Sequence, residues 1–530
     1  MISVHSREQW TWCWEFSNNR NELAPAVLAI LILLLSVCYY IWTLLKSRNP
    51  ITAPLPPGPR GLPVVGYLPF LGTNLHREFT ELAQQYGPIY KVWFGQKLCI
   101  VLSSPSLAKE VVRDLDTVFA NRDPPIAALA STYGGLDIAW APYGSHWRNM
   151  RKLFVRETMS NTRLEDTYSL RSEEVKKTIK DLHSRIGNPI EISQIAFLTE
   201  FNVIVSMLWG ATVDTQSGDS VGPQFQAVMI KILEVISKPN MSDFFPILAR
   251  IDLQGLVRET KRLMHRFDQI LDPILESGMR MNKGEGDEGD GLKNKGKKDL
   301  IQILLELRMR EDAEMPITLE QIKTMLLNIV TGATDTTSTM VEWVMAELIH
   351  KPEAMKKVQQ ELLDIIGLNE DVEESHVPKL HYLDAVLKET MRLHPALPLL
   401  LPKRPSQSSI VGGYTIPKDS KVFLNVWAIQ RDPEVWDDPS EFKPERFLGD
   451  SGKWDYNGNN FQYLPFGSGR RICPGIPLAE KMTMCLLASL LHSFNWKLPE
   501  GEEPDLSEQF GIVVRKSTPL IAIPTQRLSG

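Results

Sequence analysis

One cysteine in this sequence sits where a thiolate would be made. Phe466-Gly467-Ser468-Gly469-Arg470-Arg471-Ile472-Cys473-Pro474-Gly475 is a glycine-rich loop, and an apolar helical pattern follows it from Leu478 to Leu491. Glycines let a loop turn tightly and bring backbone N–H groups up to a sulfur, and a helix start adds partial positive charge. Both favour thiolate over thiol, and a thiolate is the form a metal ligates. An isolated cysteine is usually a buried free thiol, but the loop and helix around Cys473 set it apart from Cys13, Cys38, Cys99 and Cys485. The five cysteines form no Cys-x-x-Cys pair and no regular spacing, so neither a zinc site nor a disulfide framework is suggested. That usage fits a body folded in a reducing compartment.

A second group is Thr331-Gly332-Ala333-Thr334-Asp335-Thr336-Thr337, which interrupts an otherwise apolar helical pattern with small residues, a carboxylate and hydroxyls. Helix interiors avoid such a cluster unless it is exposed or used. A threonine hydroxyl donates and accepts at once. Two further pairings have helical spacing. Glu389 and Arg392 stand one turn apart, able to pair, although most such pairs lie on solvated faces; Trp147 and Arg151 stand one turn apart as well.

The elements that must position these residues are mostly helical. Periodicity marks helices at Leu256 to Leu275, Asp299 to Leu307, Leu319 to Ile349, Pro352 to Ile366 and Tyr382 to Leu393. Short strands are expected at Ile89 to Val92, Cys99 to Leu102 and Lys421 to Asn425, where β-branched and aromatic residues gather near turns. The fold class is therefore mainly α with small β-sheets. Lys283 to Lys298 is glycine-rich and charged and reads as a solvated loop between helices.

With 530 residues, 43% hydrophobic and 23% charged, the chain can bury a large core. Its net charge is −6 and its basic residues form no long block, so no nucleic-acid partner is called for. Leu23 to Leu45 is an uncharged run of 23 residues, long enough to cross a bilayer core as a helix. A cleaved signal peptide would have a shorter apolar core ending in small residues, whereas this run ends in Tyr39, Tyr40 and Trp42, then Lys46 and Arg48. The basic flank of Lys46, Arg48 and Arg60 favours a cytosolic body, diluted by Arg7 and Arg20 on the other side. Pro54-Leu55-Pro56-Pro57-Gly58-Pro59 then makes a stiff connector. The expected organisation is a tail (1–22), a transmembrane anchor (23–45), a basic and proline-rich connector (46–63) and one catalytic domain (64–530).

The cysteine loop resembles the haem-binding loop of the cytochrome P-450 family, whose Phe-x-x-Gly-x-Arg-x-Cys-x-Gly pattern is met by Phe466, Gly469, Arg471, Cys473 and Gly475. Glu389-Thr390-Met391-Arg392 resembles the family's Glu-x-x-Arg helix, Pro444-Glu445-Arg446-Phe447 its Pro-Glu-Arg-Phe segment, and Trp147 with Arg151 its Trp-x-x-x-Arg helix. Gly332, Thr334, Asp335 and Thr336 fit the helix over the distal haem face, with Ala333 where glycine is usual. The matches fall in the family's order from about Pro54 onward, and Lys388 to Pro395 and Asn425 to Pro433 look most like plant members acting on specialised metabolites.

The resemblance implies the P-450 fold behind one N-terminal transmembrane helix, and haem b (iron protoporphyrin IX) with Cys473 as the iron's ligand. Arg471, Trp147 and Arg151 would reach the propionates, as would Lys403 or else its neighbour Arg404 after Pro402; Phe466 would pack beside the sulfur, and Gly469 would shape the loop. Arg446 would join the Glu389–Arg392 ion network. Thr336 would hold dioxygen and a water, with Asp335 helping protons arrive, since two protons must reach the distal oxygen. The implied enzyme is a reductase- and NADPH-dependent monooxygenase. It would insert one atom of O2 into a lipophilic small molecule, a terpenoid or else a flavonoid. Its pocket would be lined from Pro124 to Tyr133, Phe244 to Ile247, Thr331 to Ala333, Ala396 to Leu400 and Phe510 to Val513. Its electron donor would be a separate membrane-bound flavoprotein reductase. The setting would be the endoplasmic reticulum membrane, with the catalytic domain cytosolic. A haem-thiolate isomerase or dehydratase, which needs no proton delivery to dioxygen, and a non-catalytic haem sensor or carrier are the competing readings. Carbon monoxide added to the reduced protein should give the strongly red-shifted Soret band of a thiolate-ligated haem. Cys473→Ser should abolish that band, and its persistence would refute the assignment.

Overall fold

The structure, a computed structural model, describes most of residues 29–41 and residues 53–209, 221–282, 298–310, 317–368, 370–449 and 454–527. The tail 1–22, the first part of the connector (46–52) and the charged loop over 283–297 lie outside the described residues. Within the expected anchor the described residues are helical, and Ile30, Leu31, Leu33 and Leu34 are exposed rather than packed in a core.

Among the described residues, strands are short and confined to four small sheets. One has five strands in the order β1-β2-β8-β5-β3, from Ile89–Phe94 (β1), Lys97–Leu102 (β2), Asn121–Arg122 (β3), Lys403–Arg404 (β5) and Lys421–Leu424 (β8). A second orders Ile190–Glu191 (β4), Ile521–Gln526 (β12) and Phe494–Lys497 (β9) as β4-β12-β9. The hairpins Ser409–Val411 (β6) with Tyr414–Ile416 (β7), and Glu508–Gln509 (β10) with Arg515–Lys516 (β11), complete the set. The connector is docked, not free: the Pro54 carbonyl accepts from Thr415 N at 2.8 Å and the Pro57 carbonyl from Lys91 N at 2.7 Å.

Helices form the bulk. Those that position the site are α1 (Leu75–Tyr86), α2 (Ser145–Phe154), α3 (Ile192–Trp209), α4 (Leu256–Asn282), α5 (Leu319–His350), α6 (Pro352–Ile366), α7 (His381–Leu393) and α8 (Ile476–Ser493). The long α5 begins on a capping box, Thr318 Oγ1 accepting from Gln321 N and Gln321 Oε1 from Thr318 N. It runs through the centre. Phe201, Ile204, Phe267, Leu326 and Val330 join its first half to α3 and α4. Val341, Val344, Leu348, Leu383, Leu387, Leu487 and Leu491 join its second half to α7 and α8. Helix α3 is apolar and long enough to cross a membrane, but more than half of it is buried in the body.

The Glu389–Arg392 pair is the polar centre of this core. Both side chains are fully buried, and Arg392 places all five of its N–H groups. It grips Glu389 through Nε (2.6 Å) and Nη2 (2.8 Å) and donates to the carbonyls of Gln430, Pro439 and Glu441. Glu389 also accepts from Lys443 N at 2.8 Å and Arg446 Nε at 3.3 Å. Helix α7 is thereby tied to the chain that leads to Cys473. Removing one partner of a buried pair typically costs about 3–5 kcal/mol. Glu389→Gln should therefore lower the melting temperature sharply and deplete folded, haem-loaded protein. Glu445→Gln, which breaks a half-exposed contact to Lys357, should cost under about 1 kcal/mol. Equal effects would show that the buried pair has no special role.

Candidate functional site

The cysteine loop is built from the meander that Arg392 holds. Gln430 is the joint: its amide Nε2 donates to the carbonyls of Met391 (3.0 Å) and Arg392 (3.1 Å), and its Oε1 accepts from Leu464 N at 2.9 Å. Tyr463 OH donates to the Lys388 carbonyl at 3.0 Å. Beyond them the Phe466 carbonyl accepts from Cys473 N at 3.1 Å, closing the loop on itself, and the Phe466 ring packs edge-on to Tyr456. Gly469 has φ +69°, and a Cβ there would lie 2.3 Å from the Val112 carbonyl oxygen. Its glycine is thus required by a close backbone approach.

Cys473 lies just before α8. Burial leaves its thiol pKa raised overall, and the N–H group of Gly475, the Arg151 guanidinium and the N–H group of Ile476 offset part of that rise. The three opposing influences are those that a loop-plus-helix cysteine acquires from its neighbours.

Around this cysteine the fold gathers four cations. Arg471 donates to the carbonyls of Ala120, Ile138 and Ala141, and Arg151 to that of Ile472 at 2.7 Å. Trp147 on α2 donates its indole N–H to the Ile138 carbonyl at 2.9 Å, so that hydrogen is not directed at a propionate. Its ring supports the Arg471 guanidinium 4.3 Å from the centroid. Lys403 is buried on β5, whereas Arg404 is paired with Asp419 near the surface. The fourth cation, Arg122, was not evident in the sequence: it is a lone arginine outside any helical pattern, placed opposite Lys403 by the β3–β5 register. Like charges directly opposite on paired strands repel. Burial, then Arg122, hold Lys403 down to about 7, and burial with Arg471 and Arg151 lowers Arg122. Among the described residues none of the four cations is ion-paired with a carboxylate, and Arg122 Nε has no partner at all. Two acids act on Arg471 without pairing with it: Asp137, whose carboxylate accepts from Ala139 N, Trp140 N and Asn328 Nδ2, and Asp116, which is taken by Arg470 at 2.9 Å. Buried, unpaired positive charge is costly. A ligand carrying two carboxylates next to a metal would satisfy it, so these residues fit haem b.

On α5, Thr334, Asp335 and Thr337 are buried, while Thr331, Gly332, Ala333 and Thr336 are the accessible positions. The hydroxyls of Thr331, Thr334 and Thr336 donate to the carbonyls four residues back, Thr336 to Gly332 at 2.7 Å. Asp335 turns the other way, to Arg515 on β11 at 2.5 Å. The segment from Phe244 to Ile247 differs from expectation. Phe244 packs on Phe94, Phe245 is buried, and Ile247 faces outward on the short turn Pro246–Arg250, so the segment is in part surface and not a continuous pocket wall.

The cytochrome P450 family profile matches residues 56–523. Full-length relatives include a flavonoid 3'-monooxygenase from Crocosmia x crocosmiiflora, 38% identical over 94% of this chain and 97% of its own length. A geraniol 8-hydroxylase from Catharanthus roseus is also 38% identical, over 94% of this chain and 98% of its own. A zebra fish cytochrome P450 solved with progesterone superposes with a TM-score of 0.73 at 27% identity, covering 86% of this chain and 100% of that one. The chain belongs to the cytochrome P450 family, the haem-dependent monooxygenases. Its cofactor is haem b, and its catalysis depends on electrons from a reductase. Gly469→Ala should abolish the haem spectrum, because the added Cβ meets backbone at a positive φ. Gly332→Ala, where an added Cβ meets nothing within 4 Å, should fold and keep that spectrum. The reverse pattern would contradict the loop geometry described.

Proposed function

We propose that Cys473 ligates the iron of haem b, that Arg122, Arg151, Lys403 and Arg471 hold its propionates, and that Thr336 and Asp335 deliver protons. The observation that carries this reading is the buried, unpaired cation cluster beside the Cys473 loop. Haem b bound there supplies the activation of dioxygen and the insertion of one oxygen atom into the substrate. The chain's own residues do the rest. Phe466 and Gly469 shape the loop, the amides of Gly475 and Ile476 steady the sulfur as thiolate, and Trp147 supports Arg471. The Thr336 hydroxyl is free to exchange its bond to Gly332 for one directed across the accessible face, and it can accept a proton while giving one.

The substrate class we propose is a terpenoid or a flavonoid. Support comes from the activities of the flavonoid and geraniol hydroxylases that align over nearly their whole length, and from the apolar Ala333 on the accessible face of α5. The electron donor is a membrane-bound NADPH-dependent flavoprotein reductase and the location the endoplasmic reticulum membrane, with residues 23–45 as anchor and the body cytosolic. A surface continuous with the connector supports membrane contact. Val65 O accepts from Gly95 N and Phe244 O from Gln96 N, which joins Leu62–Gly66, the β1–β2 turn and Met241–Leu253 into one face. That face exposes Leu62, Val64, Phe70, Trp93, Ile247 (75%), Ile251 (63%) and Leu253 (64%).

Two measurements test this. The protein lacking residues 1–45 should remain folded with its haem spectrum and bind vesicles weakly, and Ile247→Asp with Leu253→Asp should remove the remainder. Unchanged binding by that variant would exclude the face. Thr336→Val keeps volume and β-branching, so haem and substrate should still bind while product per NADPH falls and peroxide rises. General acid–base assistance of this kind is worth about 10²- to 10⁴-fold, and unchanged coupling would make Thr336 a structural helix residue.

A further inference from the structure

The buried helix α5 carries, at Asp335, a charged contact that the chemistry described so far does not use. Arg515 Nη2 donates to Asp335 Oδ1 at 2.5 Å, across a sequence separation of 180 residues. The Asp335 side chain is 11% exposed and that of Arg515 55%, so the pair joins the interior of α5 to solvent. Among the described residues, Arg515 is the cation that pairs with Asp335. We propose that Arg515 is a positioning residue for proton delivery, holding the Asp335 carboxylate on the solvent side of α5 and returning it there after each proton transfer. This rests on the reading of Asp335 and Thr336 given above.

The placement of Arg515 is over-determined. Residue 514, immediately before it, is fixed at both backbone groups: Val514 N donates to the Ala396 carbonyl at 2.9 Å, and its own carbonyl accepts from Trp343 Nε1 at 3.3 Å. Trp343 is fully buried and belongs to α5 itself, about two turns beyond Asp335. The strand is also clamped from the other side. Arg515 pairs with Gln509 and Lys516 with Glu508 in the β10–β11 register. Glu508 in turn accepts from His76 at 2.8 Å and from Arg77, both on α1, and these partners bring its carboxyl down to about 2. A guanidinium carried by so fixed a backbone restricts where the Asp335 carboxylate can point. An unheld aspartate would sample several rotamers.

The cycle balances without electrons. A proton from solvent water adds to the Asp335 carboxylate, and the neutral acid has no charge left for Arg515 to attract. Released from Arg515, the acid turns back and donates to a solvent water, which passes a proton to the Thr336 oxygen as that hydroxyl gives its own to a water on the accessible face. Asp335 becomes a carboxylate again and re-pairs with Arg515. One proton has moved inward and both residues have been restored. Arg515 therefore acts through Asp335, touching neither substrate nor cofactor. The competing role for the same contact is a staple that merely holds the β10–β11 hairpin onto α5.

The test is a set of four proteins besides wild type: Arg515→Gln, Arg515→Lys, Asp335→Asn and the Arg515→Gln/Asp335→Asn double variant. Each haem-loaded protein is assayed for product and peroxide per NADPH with the reductase, and separately for melting temperature. A half-exposed pair is worth a modest factor, so Arg515→Gln should lower product per NADPH about two- to fivefold, with peroxide rising and KM unchanged. Arg515→Lys should restore most of that loss. In the double variant, Arg515→Gln should add nothing to the effect of Asp335→Asn on coupling or on melting temperature, since the pair is already broken. A lower melting temperature with unchanged coupling in Arg515→Gln would establish the staple and overturn the proposal. Additive effects in the double variant would overturn it as well, and so would unchanged coupling in Asp335→Asn, which would in addition defeat the assignment of Asp335 itself. A coupling loss in Asp335→Asn without one in Arg515→Gln would defeat the role of Arg515 alone.

Discussion

Much of this structure depends on one buried guanidinium. Arg392 is fully buried, and its five N–H groups bind a carboxylate on its own helix and three carbonyls from the chain that follows. A buried charge costs least when every donor is satisfied. The segment from Gln430 to Glu441 must therefore fold against α7 in one arrangement. Gln430, held there, fixes Leu464 and so the start of the cysteine loop. The position of Cys473 is in this sense set by a residue that never touches it.

The opposite condition holds around the cysteine. Arg122, Arg151, Lys403 and Arg471 are drawn together without carboxylate partners among the described residues, and burial and mutual repulsion hold the Lys403 ammonium down to about 7. Protein folding alone would not favour such a cluster. A dianionic ligand converts the repulsion into binding, which makes retention of that ligand and stability of the surrounding β3–β5 pairing one problem. The two devices are complementary: Arg392 has its charge met by a carboxylate on its own helix, whereas Arg122, Arg151 and Arg471 find carbonyls and none of the four cations has, among the described residues, a carboxylate partner.

Helix α5 carries the third constraint, since a buried helix must dispose of its polar side chains. Its hydroxyls bond back to carbonyls a turn earlier, which keeps them satisfied in a buried setting. Asp335 cannot do so and is met from outside by Arg515. Two neighbouring residues thus face in different directions, Thr336 toward the accessible face and Asp335 toward the solvent side.

Short-range spacing was legible in the sequence. The helices of α4 to α8, the strands β1, β2 and β8, the cysteine loop at a helix start and the Glu389–Arg392 pair all follow from patterns that span at most a few turns, because hydrogen bonds and side-chain neighbours within an element are fixed by its period. The family pattern named Cys473, Arg471, Trp147, Arg151, Asp335 and Thr336 as candidate site residues, whose roles are proposals. Only tertiary structure could set Arg122 opposite Lys403, bury Lys403 while leaving Arg404 at the surface, make Gln430 the joint beneath the loop, and bring Arg515 to Asp335. Each of these depends on strand register or on the docking of distant segments, and neither leaves a periodic trace in the residues concerned. The outward turn of Ile247 has the same origin: an apolar residue reads alike whether it faces a core, a pocket or a membrane, and only the packing of Phe244 and Phe245 beneath it decides which.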